Sequence, residues 1–163
     1  MNYRKISKCR ICKSGKIKKV LDLGDQAFTG KFPTSYKKNI SKSPLSISLC
    51  LKCKFVQLSH NFSSSYLYNQ EYGYESGINS TMKNHLFKIA QKVVELKKLT
   101  KSSIVVDIAS NDGTLLNSYN KDIIKVGIDP ILNKFKDKYK KINHKVSDFF
   151  SYKNFKKLNL KKK

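Results

Sequence analysis

The chain has 163 residues, and 34 lysines and arginines against 11 acidic residues give it a formal net charge of +23. This length predicts one medium domain or two small ones. Because no run approaches the roughly 18 apolar residues of a membrane span and the basic start lacks the apolar stretch of a signal peptide, we expect a cytoplasmic protein with no membrane partner. The charge favours nonspecific binding of polyanions, but the lysines are spread along the whole chain.

The first segment, residues 1–62, holds all four cysteines in two C-x-x-C pairs, Cys9 with Cys12 and Cys50 with Cys53. Two such pairs complete a tetrahedral site of four thiolates, which is typical of structural zinc. The alternative is two disulfides, which need an oxidising compartment. We predict a small zinc-ribbon-like module whose zinc has no open position for catalysis.

Short strands are predicted inside this module at 45–49, where apolar residues alternate, and at 55–58. Residues 63–79 are rich in Ser, Tyr, Asn and Gly and predict a loop. An amphipathic helix follows over 82–96, with Asn79 or Ser80 as its cap. Loop and helix together form a predicted linking segment, residues 63–100.

The last segment, residues 101–163, alternates between strands and helices. The apolar run at 104–109 is typical of a strand buried on both faces. Further strands are predicted at 123–129 and 144–148, and a lysine-rich helix is predicted over about 131–141. This order indicates parallel pairing with right-handed crossovers, so we predict the first three parallel strands of an α/β Rossmann-like fold.

Candidate cofactor residues follow these strands, because ligands of open α/β sheets bind at the carboxyl ends of the strands. Small residues and a glycine in the first turn allow a close approach, and Asp129 in the second turn offers a carboxylate to ribose hydroxyls. The turn lacks the G-x-G-x-x-G pattern and is surrounded by acids, which favours adenosine with a cationic sulfonium, as in S-adenosylmethionine. Ordinary turn chemistry is the alternative explanation. The candidate residues are Asp107, Ala109, Ser110, Asn111, Asp112, Gly113, Asp129, Pro130, Asp148 and Phe149, with Asp148 placed at the adenine amino group and Phe149 over the ring.

In their order along the chain, these motifs resemble the sugar C-methyltransferases that carry an N-terminal zinc-binding domain. The resemblance rests on Met82, His85 and residues 9–12, 21–26, 50–53, 56–58, 72–77, 110–116, 127–130 and 148–150. It implies transfer of a methyl group from S-adenosylmethionine to a carbon of a nucleotide-linked keto sugar, after a base removes the proton beside the ketone. It also implies that Tyr72, Tyr74 and Ser76 line the sugar pocket. The resemblance further implies that the Rossmann-like sheet of residues 101–163 is the N-terminal half of a methyltransferase fold, which is therefore incomplete in this chain.

The chain departs from that family at two points. Ala109 stands where the family usually has glycine. No residues up to Lys163 resemble the family's Glu-His catalytic pair, so we expect the catalytic base beyond Lys163. We therefore expect the 163-residue chain alone not to catalyse turnover. Two alternatives stay open: a basic zinc ribbon that binds nucleic acid, and a catalytically inactive truncated methyltransferase.

Overall fold

The chain folds into two compact units, with the boundary between Gly73 and Tyr74. The computed structural model describes residues 3–28, 30, 32–36 and 39–160. The boundary falls inside the predicted linking segment 63–100. None of the helices in the described part of the chain has the length and apolar character that a bilayer span requires.

The first unit contains two small antiparallel sheets and one helical turn. Its elements are β1 (Tyr3–Lys5), β2 (Ile17–Ala27), β3 (Lys42–Cys50), β4 (Val56–Leu58), β5 (His60–Phe62) and α1 (Ser64–Leu67). β1 pairs with β5, and β3 lies between β2 and β4. The predicted strands at 45–49 and 55–58 are confirmed as parts of β3 and β4, whereas the predicted loop contains α1.

The buried face of β3 carries serine side chains, and we call it the hydroxyl face. Ser46 and Ser48 are each 4% exposed, while Ile47 and Leu49 on the opposite face are only half-buried. Within the described part of this unit, the buried apolar side chains are those of Cys9 and Cys50. The first unit therefore lacks an aliphatic core, and we expect a metal held by its cysteines to supply much of its folding energy.

The second unit begins with a long helix and continues as a three-stranded parallel sheet. Its elements are α2 (Ser80–Lys97), β6 (Ile104–Ile108), α3 (Thr114–Asn117), β7 (Ile124–Ile128), a 3-10 helix (Leu132–Tyr139), β8 (His144–Val146) and α4 (Tyr152–Lys156). β7 lies between β6 and β8, and both pairings are parallel. Asn79 caps α2, since its side chain accepts a hydrogen bond of 2.7 Å from the backbone N–H of Met82. The predicted amphipathic helix and the three parallel strands are confirmed.

One prediction about this sheet is wrong: β6 is not buried on both faces. Ile104 is 37% exposed and Ile108 is 53% exposed, whereas Val126 and Ile128 of β7 are fully buried. The reason is position, because β6 forms the edge of the described sheet and pairs with β7 alone. An apolar sequence run shows that a strand is suited to burial, but not how many neighbours cover it.

The lysine-rich segment also differs from its prediction. The expected helix over about 131–141 is a 3-10 helix, Leu132–Tyr139, with a kink at Phe135. Ile131, Leu132, Phe135 and Tyr139 are buried on its inner side. A tight helix of this kind is used in short connectors, where tertiary contacts decide the geometry.

Candidate metal centre and cofactor turn

The four cysteine sulfurs come together at one point in the first unit. Cys9 Sγ lies 3.6 Å from Cys53 Sγ, and Cys12 Sγ lies 3.5 Å from Cys50 Sγ. All four sulfurs are within 4.8 Å of one another. Zn–S bonds of about 2.3 Å in a tetrahedron put sulfurs about 3.8 Å apart, whereas a disulfide requires about 2.05 Å. The donor set therefore fits zinc, and the cysteines are free of disulfides.

The two cysteine turns repeat the same backbone geometry. In each, the first cysteine accepts a hydrogen bond from the N–H of the lysine four positions later, and that lysine adopts left-handed backbone angles. The pairs are Lys13 to Cys9 (3.0 Å, φ 59°) and Lys54 to Cys50 (2.9 Å, φ 63°). Each turn thus wraps its own half of the site. The pairing of β2 with β3 places Cys50 opposite Ile17, so the second turn lies next to the start of β2.

The thiols do not titrate alike. The backbone N–H of Cys53, which lies 3.5 Å from Cys50 Sγ, lowers the pKa of Cys50 to about 6. The backbone N–H of Phe55 lowers the pKa of Cys53, but desolvation and the neighbouring thiols outweigh it and raise that pKa to about 11. Since metals bind thiolates, an ion entering this site displaces protons from the thiols that still carry them.

In the second unit, the turn after β6 is built from left-handed residues. Ala109 has φ 61°, Asn111 has φ 48° and Gly113 has φ 75°. The backbone N–H groups of Ala109 and Ser110 both donate to the carbonyl of Ile128, at 2.9 and 3.3 Å. The turn therefore stays attached to the end of β7 while its backbone folds tightly, which exposes Ala109 at the carboxyl edge of the sheet.

The left-handed angle at Ala109 explains why a glycine is expected there. We predict that Ala109→Gly stabilises the second unit by about 1 kcal/mol, because the strain of an L-residue at this angle exceeds the entropy that glycine adds to the unfolded chain. Native-state hydrogen exchange of the β7 amides measures the change. The control is Ala90→Gly in α2, which should destabilise the unit, because glycine is unfavourable at helical angles and the Ala90 methyl group packs in the core. A loss of stability at Ala109 would contradict the assignment of strain.

Two predicted cofactor side chains are engaged with the segment 74–77. The Asn111 side chain accepts from the N–H of Ser76 at 2.9 Å and donates to the carbonyl of Tyr74 at 3.1 Å. Asp112 is fully buried and accepts from the N–H of Gly77 at 2.9 Å. The sequence prediction missed this role, in which Asn111 and Asp112 attach a loop with a predicted pocket tyrosine to the cofactor turn.

Two acids, Asp107 and Asp129, lie near the carboxyl edge of the sheet and interact electrostatically. Asp129 is 5% exposed, and its two oxygens accept from the N–H groups of Asn111 and Ile131, each at 2.8 Å. Among the described residues, no group donates a hydrogen bond to the Asp107 side chain. Desolvation, and then the charge of Asp129, raise the pKa of Asp107 to about 6. Desolvation also raises the pKa of Asp129, against those two hydrogen bonds.

Tyr139, which was not among the predicted site residues, supports the turn after β6 through its hydroxyl group. It is fully buried, and its hydroxyl hydrogen-bonds with Ser110 Oγ and donates to the carbonyl of Asn111, each at 2.8 Å. A Cβ on Gly127 would lie 2.7 Å from the ring of Tyr139. The glycine therefore leaves room for the ring. The spacing of Phe135 and Tyr139 was the sequence signal that a buried face existed here.

The remaining predicted residues are distributed around the chain. Tyr72 belongs to the first unit, where its ring fills the space beside Gly30. Asp148 accepts from the N–H of Phe149 at 2.7 Å and from the Asn154 side chain at 2.8 Å, while Phe149 is 37% exposed. Pro130 follows Asp129 and is half-buried. In the described structure Asp148 shares no hydrogen bond with the turn after β6.

The molecule thus combines a four-cysteine metal centre with a parallel α/β unit. Residues 9–68 match the family model Methyltransf_13, whose description is "Putative zinc binding domain". This match and the four-cysteine cluster support a zinc-binding domain in the first unit and a link to methyltransferases. The comparison with curated proteins gives no match.

Proposed function

We propose that the chain is the N-terminal part of an S-adenosylmethionine-dependent methyltransferase that acts on a carbon of a nucleotide-linked keto sugar. The methyltransferase-associated zinc module supports the reaction class. The parallel order of β6, β7 and β8 supports a nucleotide-type cofactor at the carboxyl edge of the sheet. The observation that carries the proposal is the uncompensated carboxylate of Asp107.

A half-buried carboxylate without a donor costs free energy unless a ligand supplies one. Asp107 lies in β6 opposite Gly127, so no side chain of β7 stands beside it in the sheet. S-adenosylmethionine would bring an activated methyl group and a positive charge to this edge. Asp107 would then offset that charge, and Asp129, already fixed by two backbone hydrogen bonds, would use its remaining lone pairs for ribose hydroxyls.

The segment 74–77 supplies the substrate side of the proposal. Tyr74 is 43% exposed, and Asn111 holds its carbonyl next to the cofactor turn. The backbone of Ser76 is bound to the same asparagine. A phenol beside a cofactor turn can contact a sugar through both its ring face and its hydroxyl. Tyr74 and Ser76 are therefore the described residues that we assign to the pocket, with Tyr72 assigned by the family resemblance alone.

Titration calorimetry with S-adenosylmethionine tests the cofactor assignment. We expect binding by the zinc-loaded chain and at least about tenfold weaker binding by Asp107→Asn, since a charge-assisted contact contributes about 1.5 kcal/mol or more. Asp137→Asn is the matched control, because Asp137 is an exposed acid whose side chain is 91% accessible. Equal losses in the two variants, or no binding by the parent chain, would reject the assignment.

The same titration with single-stranded DNA tests the alternative of a basic nucleic-acid-binding ribbon. The family match does not favour that alternative. The acids Asp107, Asp112 and Asp129 also oppose it, because they would repel phosphates at the carboxyl edge. Tight and salt-sensitive DNA binding without any cofactor binding would reverse the preference.

A further inference from the structure

A cavity of about 290 Å³ lies in the first unit, on the hydroxyl face of β3. This is the face opposite to the half-buried leucines and isoleucine of the same strand. Six of its lining residues carry the argument: Lys5, Lys19, Ser46, Ser48, Ser59 and His60. All belong to the first unit.

The buried serines of this cavity are not explained by packing. Ser46, Ser48 and Ser59 are 4%, 4% and 5% exposed. Burying a hydroxyl costs free energy unless it finds a hydrogen-bond partner, whereas an alanine at the same place would need none. Ser48 Oγ and Ser59 Oγ lie 2.7 Å apart. One hydroxyl donates to the other, so one of the two protons remains for a further acceptor.

The charges around the cavity favour an anion. Lys5 and Lys19 line it together with one acid, Asp22. Asp22 pairs with Lys19 and also accepts from the N–H of Gly24 at 3.1 Å. Both hydrogen bonds lower the pKa of Asp22, and the bond from Lys19 has the larger effect. The ammonium groups of Lys5 and Lys19 therefore outnumber the single carboxylate of Asp22, which Lys19 and the N–H of Gly24 already bind.

His60 adds an unmet hydrogen-bonding group. Its Nδ1 is buried and has no partner among the described residues. The ring is held by edge-on packing against Tyr3, with 5.5 Å between ring centroids. A buried ring nitrogen without a partner is uncommon in a folded protein. His60 thus gives the cavity lining a ring nitrogen to which no described residue is hydrogen-bonded.

We propose that this cavity binds a phosphate group, either free or carried by a nucleotide. Hydroxyl donors and ammonium groups around one space are the donor set that phosphate oxygens require. The site lies in the zinc module, and the proposal does not rest on the cofactor assignment of the second unit.

The test is a titration of the full zinc-loaded chain with inorganic phosphate at constant ionic strength, followed by amide chemical shifts in NMR spectra. We expect shifts centred on Lys19, Ser46, Ser48 and Ser59. Lys19→Met should weaken phosphate binding at least about tenfold. Lys18→Met is the matched control: Lys18 pairs with Leu49 on the opposite face, whereas Lys19 pairs with Ser48, and both changes remove one charge from the same strand. Ser48→Ala is the second variant, in case Lys19→Met disturbs folding.

Equal weakening by the two lysine variants, or shifts spread over the lysine-bearing surface, would overturn the proposal in favour of diffuse attraction to a chain of net charge +23. An absence of phosphate binding would overturn it as well. A parallel titration with uridine diphosphate separates the sources. Tighter binding of the diphosphate, with the same variant pattern, identifies a nucleotide as the carrier, and equal affinities identify free phosphate.

Discussion

Removal of zinc is expected to unfold the first unit and leave the second unit folded. In the described part of the first unit, Cys9 and Cys50 are the buried apolar residues. Leu21, Leu23 and Leu58 are 46%, 51% and 41% exposed, so each is only partly removed from water. Ordering each backbone residue costs about 1–2 kcal/mol, which this unit cannot offset from apolar burial. Zinc sites of this kind supply about 10–16 kcal/mol.

The second unit has the core that the first lacks. It buries eleven apolar side chains among its described residues, and Ala90, Tyr119 and Ile123 link α2 to the sheet. Hydrogen-exchange mass spectrometry before and after chelation locates the effect. We expect protection to vanish in β2, β3 and β4 and to persist in β7. Cys50→Ser should reproduce the loss, and zinc added back to the chelated parent chain should reverse it. Unchanged protection of β3 in metal-free protein would contradict the metal dependence.

The metal centre was predictable from the sequence, whereas the sheet that carries it was predictable only in part. Four cysteines in two close pairs define a ligand set by spacing alone. β2 was missed because Ile17–Ala27 lacks apolar alternation and is exposed along nearly its whole length. Its pairing with β3, including the shifts in register at Lys19 and Asp22, arises from the neighbouring strand. The inward direction of Ser46 and Ser48 was equally hidden, since an alternating pattern predicts the apolar side as the buried one.

The cofactor turn was likewise predictable from the sequence only in part. The order of strands and helices predicted that the turn after β6 and Asp129 would meet at one edge, and the N–H of Asn111 donates to Asp129 at 2.8 Å. The attachment of the segment 74–77 to Asn111 and Asp112 depends on residues about 35 positions away. The support by Tyr139 depends on the 3-10 helix. Contacts of this kind are tertiary: the spacing of Phe135 and Tyr139 indicates a buried face, but the sequence does not show which residues that face contacts.

The second large effect concerns Asp107, whose replacement should stabilise the second unit at neutral pH. Burial and the charge of Asp129 raise the pKa of Asp107 to about 6, above its ordinary value of 3.8. The folded protein therefore binds a proton more readily than the unfolded chain does. The carboxylate costs nothing below about pH 4, and its cost grows as the pH rises from about 4 to about 6. Above that range the cost is constant at about 3 kcal/mol.

Asp107→Asn removes this cost, so we expect it to stabilise the second unit by about 3 kcal/mol at pH 7 and by little at pH 4. Native-state hydrogen exchange of the β7 amides at both pH values measures the difference. Asp137→Asn serves again as the control and should show no such pH dependence. A variant that is less stable than the parent at pH 7 would mean that Asp107 has a structural partner. A stabilised variant that has also lost S-adenosylmethionine binding would identify a carboxylate kept at the expense of stability, which is the behaviour expected of a binding site.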